Sequence, residues 1–405
     1  MNISVYHRDK CRICDSSNLH KWICLSQMPL TDDLRLLDSE EKEFLYDINV
    51  YICKDCRTTQ LLHDIDVQNY YQCYTYTSSA SEFTKKFMSK LALNTFEEYS
   101  LKPGCSVIEI GSGDGLQLSY FKKLGAKVFG IEPSRILCKK SEEIGVPVYE
   151  GLFNEETITC IPKENLSADV ILLTYTFDHM PEPMNFLKLV HRILNKKSGI
   201  LIIEVHDLDK ITDRCEYCLF EHEHLIYLST ETMRNILKLA NFDLISMDIL
   251  PDNERRGNSL LIVAKPNSKL GFSCIEYKER LLLSEYDKYN EEIIRSINRL
   301  DEFVESEISL GRRVAGYGAG GRGVMTLAAM KSAKKIAYVC DQNENFYGKV
   351  TPKSHLPIYH PNKLQEDPVD TLLVFSYGYI DEIKKTVAAL QNPPKYIVSL
   401  LEVLQ

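Results

Sequence analysis

The sequence predicts an α/β chain in which two strand–glycine-loop–helix units, each opening a doubly wound parallel sheet, follow a cysteine-bearing N-terminal subdomain. Three observations predict it. Two CxxC pairs stand near the start, CRIC from Cys11 to Cys14 and CKDC from Cys53 to Cys56. A short apolar run, SVIEI, turns through GSGDG into a helical pattern and then a second apolar run. The same plan returns near the C-terminus in RRVAGYGAGGRGVMTLAAM. Strands that alternate with helices imply parallel pairing, because each crossover helix returns the chain to the same end of the sheet.

Length and composition fit this organisation. A chain of 405 residues calls for two or three domains, and 44% apolar with 26% charged residues is ordinary for a globular protein. A formal charge of −9 excludes the broad basic face of a general nucleic-acid binder, so no nucleic-acid partner is expected. A small phosphorylated ligand stays compatible, since a few local arginines can hold it. MNISVYHRDK carries no charged-then-apolar signal, and no apolar run reaches membrane-spanning length. The expectation is a cytoplasmic protein with no membrane partner. In a reducing compartment its thirteen cysteines are free thiols or metal ligands.

The elements follow in order. Residues 1–70 form a zinc-binding subdomain in which Cys11, Cys14, Cys53 and Cys56 present four thiolates tetrahedrally, the arrangement of a structural zinc with no open position. Residues 71–268 open on YYQCYTYTSSASEFTKKF, an aromatic loop leading into a helix that runs to about Tyr99. Its tyrosines suit ordinary packing with one hydroxyl satisfied. SVIEI, KVFGIE, ADVILLTYT and GILIIEVH are strands, joined later by a helix near Thr230 to Ala240 and the strand NSLLIVAK. Residues 269–310 form a helical connector, with Leu281, Leu282, Ile293, Ile294 and Phe303 at helical spacing. Residues 311–405 repeat the unit, with KIAYVCD ending in Asp341 and DTLLVFSYGYIDEIKKTVAAL supplying a third strand and helix.

The first glycine loop carries the chemistry. Glycines at 111, 113 and 115 allow a tight turn and close backbone approach to a ligand. A dinucleotide loop usually spaces its glycines GxGxxG, whereas this one reads GxGxG and is preceded by Glu109. That form resembles motif I of class I methyltransferases, which implies a Rossmann-like domain binding S-adenosylmethionine. The resemblance places Gly111, Ser112, Gly113 and Gly115 in the cofactor loop. It places Glu132, at the end of the next strand, against the ribose hydroxyls, and Phe153 and Asn154 near the adenine. TYTFDHMPEP is similar to the superfamily's segment after the fourth strand.

The order of parts narrows the likeness. Two CxxC pairs, PLTDDL, a tyrosine–serine loop, a methyltransferase domain, an EHEH element and a second Rossmann-like unit succeed one another. This resembles the zinc-containing, three-domain C-methyltransferases that act on nucleotide-linked keto-deoxysugars. The resemblance implies that His224 is the base removing a proton beside the ketone, with Glu223 orienting it or holding a sugar hydroxyl, and Tyr76 near donor and acceptor. A weakly acidic C–H needs a base poised near neutral pH, which suits histidine. Two departures bear on the acceptor pocket. Glu221 stands where the family has a tyrosine, and Arg255 and Arg256 precede the segment that holds Asn258. The expected acceptor contacts are therefore Glu221, His222, Arg255, Arg256, Asn258, Gly318 and Arg322.

The same residues admit other readings. Cys215, Cys218, His222 and His224 form a cramped CxxC-plus-HxH set for a second metal. Either imidazole, His222 more than His224, also reads as a satisfied core histidine. GYGAGGRG holds a diphosphate with Arg322, or is a bare turn, and Asp341 keeps a nicotinamide cofactor open. An O- or N-methyltransferase on a small metabolite, and a non-catalytic binding protein of the same fold, complete the alternatives.

Overall fold

The structure is a computed structural model and describes residues 3–66, 71–72, 81–267 and 283–405. Its centre is a seven-stranded sheet. From one edge the order is Phe242–Ser246, Leu260–Pro266, Ile200–Val205, Val170–Thr174, Ser106–Ile110, Lys127–Glu132 and Val148–Glu150. Ser106–Ile110 pairs in parallel with both Val170–Thr174 and Lys127–Glu132, so its C-terminal end opens where the chain reverses its direction of travel across the sheet. That switch point is where ligands bind in such sheets. Strands buried on both faces read as unbroken apolar runs, which is why SVIEI and GILIIEV were legible. One strand departs from the expected parallel sheet. Leu260–Pro266 runs antiparallel to Ile200–Val205 and hairpins with Phe242–Ser246. Apolar periodicity reports burial and carries no direction.

Capping fixes the helices. Ser81 accepts from the Thr84 amide to start Glu82–Glu98, and Ser229 with Thr232 closes a capping box before Thr230–Leu239. Two apolar cores cover the two faces of the large sheet.

The cysteine-bearing subdomain is an antiparallel sheet of Leu19–Pro29, Leu45–Cys53 and Thr59–Leu61, completed by Ile226–Tyr227 from the region of the seven-stranded sheet. That last strand ties the EHEH segment directly to the N-terminal sheet. The C-terminal unit is a parallel sheet ordered Ile358–Tyr359, Val339–Cys340, Val314–Tyr317, Thr371–Val374 and Tyr396–Ser399. The long helix Leu283–Ser309 packs against Trp22 of the N-terminal sheet, whose indole N–H donates to the Tyr286 carbonyl at 2.7 Å. One continuous core joins the N-terminal sheet, residues of the 208–227 stretch, this helix and the C-terminal sheet.

Candidate active site

The two CxxC turns meet. Sγ of Cys11 lies 3.4 Å from that of Cys56, and Sγ of Cys14 lies 3.5 Å from that of Cys53. Each pair is followed by a residue in the left-handed region, Asp15 at φ 61° and Arg57 at φ 60°, and backbone amides point at the sulfurs of Cys11 and Cys53. These are zinc knuckles, and four converging thiolates suit Zn²⁺. Between the cysteines of the first knuckle, Arg12 is buried. It pairs with Asp64 and donates to the carbonyls of Leu61 and Pro181, so the knuckle is fixed to the domain of the seven-stranded sheet.

A cavity of about 490 Å³ opens at the switch point. Gly111, Ser112, Gly113, Glu132 and Phe153 line one end. Gly113 has φ +54° and open space where a Cβ would stand. Its amide donates to Glu132 at 2.8 Å, and the Ser134 amide donates to the other carboxylate oxygen at 2.8 Å. Burial raises the Glu132 pKa against those two amides. Oε2 of Glu109, Oγ of Ser112 and Oε1 of Gln117 are buried at the same end with no hydrogen-bond partner among the described residues. Orphaned polar atoms around an open glycine fit a polar ligand, so the residues present fit S-adenosylmethionine.

The other end gathers three imidazoles. His224 donates from Nδ1 to the Leu219 carbonyl at 3.0 Å, which leaves the lone pair on Nε2. Nε2 lies 3.8 Å from Glu221 Oε2. His179 and His206 pack against His224 with ring centroids at 4.8 and 4.7 Å. Burial, aided by His206, pushes the His224 pKa down to about 4, and burial takes His179 to about 3. Burial raises Glu221 well above the carboxylate range, and Glu223 and Asp32 add to it. Thr31 and Asp32 of PLTDDL, together with Gly320, Gly321, Arg322 and Tyr379 of the C-terminal unit, close the cavity. Three regions of the chain therefore build one site.

Several expected contacts lie elsewhere. Asn154 is exposed and caps Glu155–Cys160 through the Thr157 amide, so it leaves the adenine expectation. Gly115 faces Ser141 and Gly318 faces Ser376, each at positive φ and each outside the cavity lining, so both are turn-formers. His222 is fully buried between Nε2 of His63 at 2.9 Å and the Met28 carbonyl at 3.0 Å. That also disperses the proposed Cys215, Cys218, His222 and His224 set, as Cys215 turns instead to Ser296. Arg255 donates to the carbonyls of Met247 and Leu250, and Asn258 is buried between the Asp207 amide and Glu216. Glu223 accepts from Thr31 Oγ1 at 3.1 Å, so the Leu219 carbonyl, and not Glu223, orients His224. Tyr76 lies outside the described residues.

Arg256, Arg322, Glu221, Glu223 and His224 do line the cavity. Arg256 sits over the rings of Phe87 and Tyr175 and pairs with Glu204. Burial works against its charge, and Glu204 more than offsets that and holds its pKa above the usual value. The sequence reading missed Asp178, His179, His206, Tyr71 and Tyr175. Asp178 and His179 sit inside TYTFDHMPEP, and His206 ends GILIIEVH, so their positions just after strand ends were the available signal.

Comparison with known proteins finds three family matches along the chain. A zinc binding domain family matches residues 11–71, a methyltransferase domain family matches 80–247, and a C-methyltransferase C-terminal domain family matches 276–400. The chain is 25% identical to C-methyltransferase NovU of Streptomyces niveus over 422 aligned residues, which cover 97% of this chain and 96% of that protein. Among solved structures, it is similar to the plantazolicin methyltransferase BpumL in complex with SAH. That match has a TM-score of 0.37 and 15% identity, over 46% of this chain and 84% of that one. An S-adenosylmethionine-dependent methyltransferase from Clostridium acetobutylicum matches with a TM-score of 0.36 and 12% identity, over 47% and 94%.

Proposed function

From the premise that the chain is an S-adenosylmethionine-dependent C-methyltransferase with a structural zinc site, we propose that its acceptor is a nucleotide-linked keto-deoxysugar, methylated on the carbon beside the ketone. One observation carries the reading. A single cavity runs from the donor loop past neutral imidazoles to a wall bearing Arg322. Nε of Arg322 is buried without a hydrogen-bond partner among the described residues, which leaves this guanidinium for a phosphate of the acceptor.

The residues then divide the chemistry. S-adenosylmethionine, when bound at the loop, supplies an electrophilic methyl group. His224 is neutral at physiological pH, because burial holds its pKa near about 4, and its Nε2 faces the cavity as a base. Glu132 would hold the donor's ribose hydroxyls, and Phe153 would lie beside the adenine. Glu221, whose pKa burial raises well above the carboxylate range, can in its protonated form donate to a sugar oxygen where the family tyrosine would.

The test is a panel of nucleotide 4-keto-sugars incubated with labelled methyl donor, with the label located by mass spectrometry. Label on carbon beside the ketone, together with deuterium exchange at that carbon in the absence of donor, is the expected result. Label only on oxygen or nitrogen overturns it.

A further inference from the structure

We propose that His206, anchored on the buried carboxylate of Asp178, is a second catalytic residue, the one on which the proton taken from the acceptor carbon comes to rest. The inference rests on the carbon-methylation reading above and adds a residue to it.

His206 directly follows the strand Ile200–Val205, and Asp178 lies in the turn Phe177–His179 that follows the neighbouring strand Val170–Thr174. Parallel pairing brings both strand ends to the cavity, where His206 forms part of the wall. Asp178 is 2% exposed. Its Oδ2 lies 3.1 Å from Nδ1 of His206, while its Oδ1 has no hydrogen-bond partner among the described residues. An ionised carboxylate only accepts, so His206 donates from Nδ1 and carries its lone pair on Nε2. His224 is in the same tautomer, held by the Leu219 carbonyl. Two base-competent imidazoles thus touch across 4.7 Å between ring centres.

The difference lies in what stands behind each ring. The Nδ1 hydrogen bond of His206 goes to the Asp178 carboxyl and that of His224 to a carbonyl, while Asp178 favours the charged form of His224 without bonding to it. A charge within hydrogen-bond distance stabilises an imidazolium more than a neutral acceptor does, which is the logic of a histidine oriented by an aspartate. The groups facing His206 are Asp178, Tyr175, His179, His224, Arg256 and Arg322. Burial, then Arg322 and Arg256, hold its pKa well below the usual range, so the resting ring is neutral and ready to accept. A phosphorylated acceptor that pairs with Arg322 removes part of that repulsion, so the proton affinities of His206 and of His224, which Arg322 also opposes, rise together when the acceptor is in place.

The step balances. The acceptor C–H bond breaks, and its proton passes to an imidazole nitrogen of the pair and ends on Nε2 of His206. The electron pair becomes the enolate and then the new C–C bond to the donor's methyl carbon. The S–C bond breaks with its pair going to sulfur. The proton leaves to water after the product does.

The experiment uses the zinc-loaded full chain and the nucleotide 4-keto-sugar that the panel shows to be methylated. His206→Asn is expected to lower kcat by about 100-fold, with S-adenosylmethionine affinity and zinc content unchanged. Nitrogen NMR of the S-adenosylhomocysteine complex should show His206 protonated at Nδ1. Asp178→Asn should lower the titration midpoint of that ring by about one pH unit or more. A merely structural Asp178 would not move that midpoint. The NMR arm stands even if His206→Asn fails to fold. Carbon methylation by His206→Asn within about twofold of the wild-type rate, or a His206 protonated at Nε2, overturns the proposal and leaves the carbon reading intact. Label confined to oxygen in the wild type overturns the carbon reading while the NMR result still reports on the dyad.

Discussion

In the methyltransferase domain the glycine loop after Ser106–Ile110 passes its Gly113 amide to Glu132, at 2.8 Å; in the C-terminal domain the loop after Val314–Tyr317 passes its Ala319 amide to Asp341, at 2.7 Å. Each acid sits at the end of the second strand of its unit and takes a further amide two residues on, from Ser134 and from Asn343, both at 2.8 Å. The closing device is the same. What differs is the space beside it. Gly113 opens onto the cavity among orphaned polar atoms, whereas Asp341 lies outside the cavity lining and Gly323 is pressed onto the Gly318 carbonyl. The second loop turns only its helix end, Gly320 to Arg322, toward the ligand space. A glycine loop followed by a strand-end acid therefore specifies a closed turn, and a binding site requires an open wall in addition. The GxGxG spacing already sets the first loop apart in sequence, but the openness of the wall beside each loop is not written there.

If the chemistry belongs to the methyltransferase side, the largest effect should come from there. His224→Asn is expected to lower turnover by roughly 100-fold or more, the usual scale for a general base, while donor affinity is kept. Turnover and deuterium exchange at wild-type rates would place the base elsewhere.

The next effect compares the two acids directly. Glu132→Ala should weaken S-adenosylmethionine binding by on the order of 1.5–3 kcal/mol, as a charge-assisted pair to the ribose is lost. Asp341→Ala should leave donor affinity unchanged. Calorimetry on the two variants decides, and equal losses would mean that the loops are not used differently.

A smaller effect probes the wall that the C-terminal unit lends. Arg322→Ala should raise KM for a phosphorylated acceptor about tenfold with kcat held, the signature of uniform binding. A fall in kcat with KM unchanged would move Arg322 into the reacting centre.

Strand positions were legible because doubly covered strands are unbroken apolar runs, and SVIEI and KVFGIE match the observed Ser106–Ile110 and Lys127–Glu132. The zinc ligands were legible because CxxC spacing itself builds the knuckle. Side-chain direction was not. His222 and His224 are two residues apart, yet one turns to His63 and Met28 and the other to the cavity. Arg255 and Arg256 are adjacent, yet one binds backbone carbonyls and the other pairs with Glu204 at the site. In irregular backbone no fixed period relates neighbouring side chains, so a motif there names a neighbourhood and not a contact. Asp178 and His206 were missed for a related reason: they meet only because two strands pair in register, which neither local segment reveals.

The smallest effect is expected from pH, and its near-absence is informative. An ordinary histidine base would give kcat/KM an acid limb near about 6.5. Here burial holds His224 near about 4 and His179 near about 3 in the folded chain. Between about pH 6.5 and 4 the unfolded chain takes up protons that the folded chain refuses, so unfolding is favoured as pH falls through that window. His224 alone contributes on the order of 3 kcal/mol of stability at neutral pH that is lost over this range, at about 1.4 kcal/mol per pH unit of depression. Activity per folded molecule should therefore stay nearly flat from pH 8 down to about 5, and what declines first should be the folded fraction. Circular dichroism recorded beside kcat/KM separates the two. An acid limb near 6.5 in protein that circular dichroism shows to be folded would mean that the catalytic imidazole is solvated, against the burial of His224, and the base would then belong on the exposed side of the cavity.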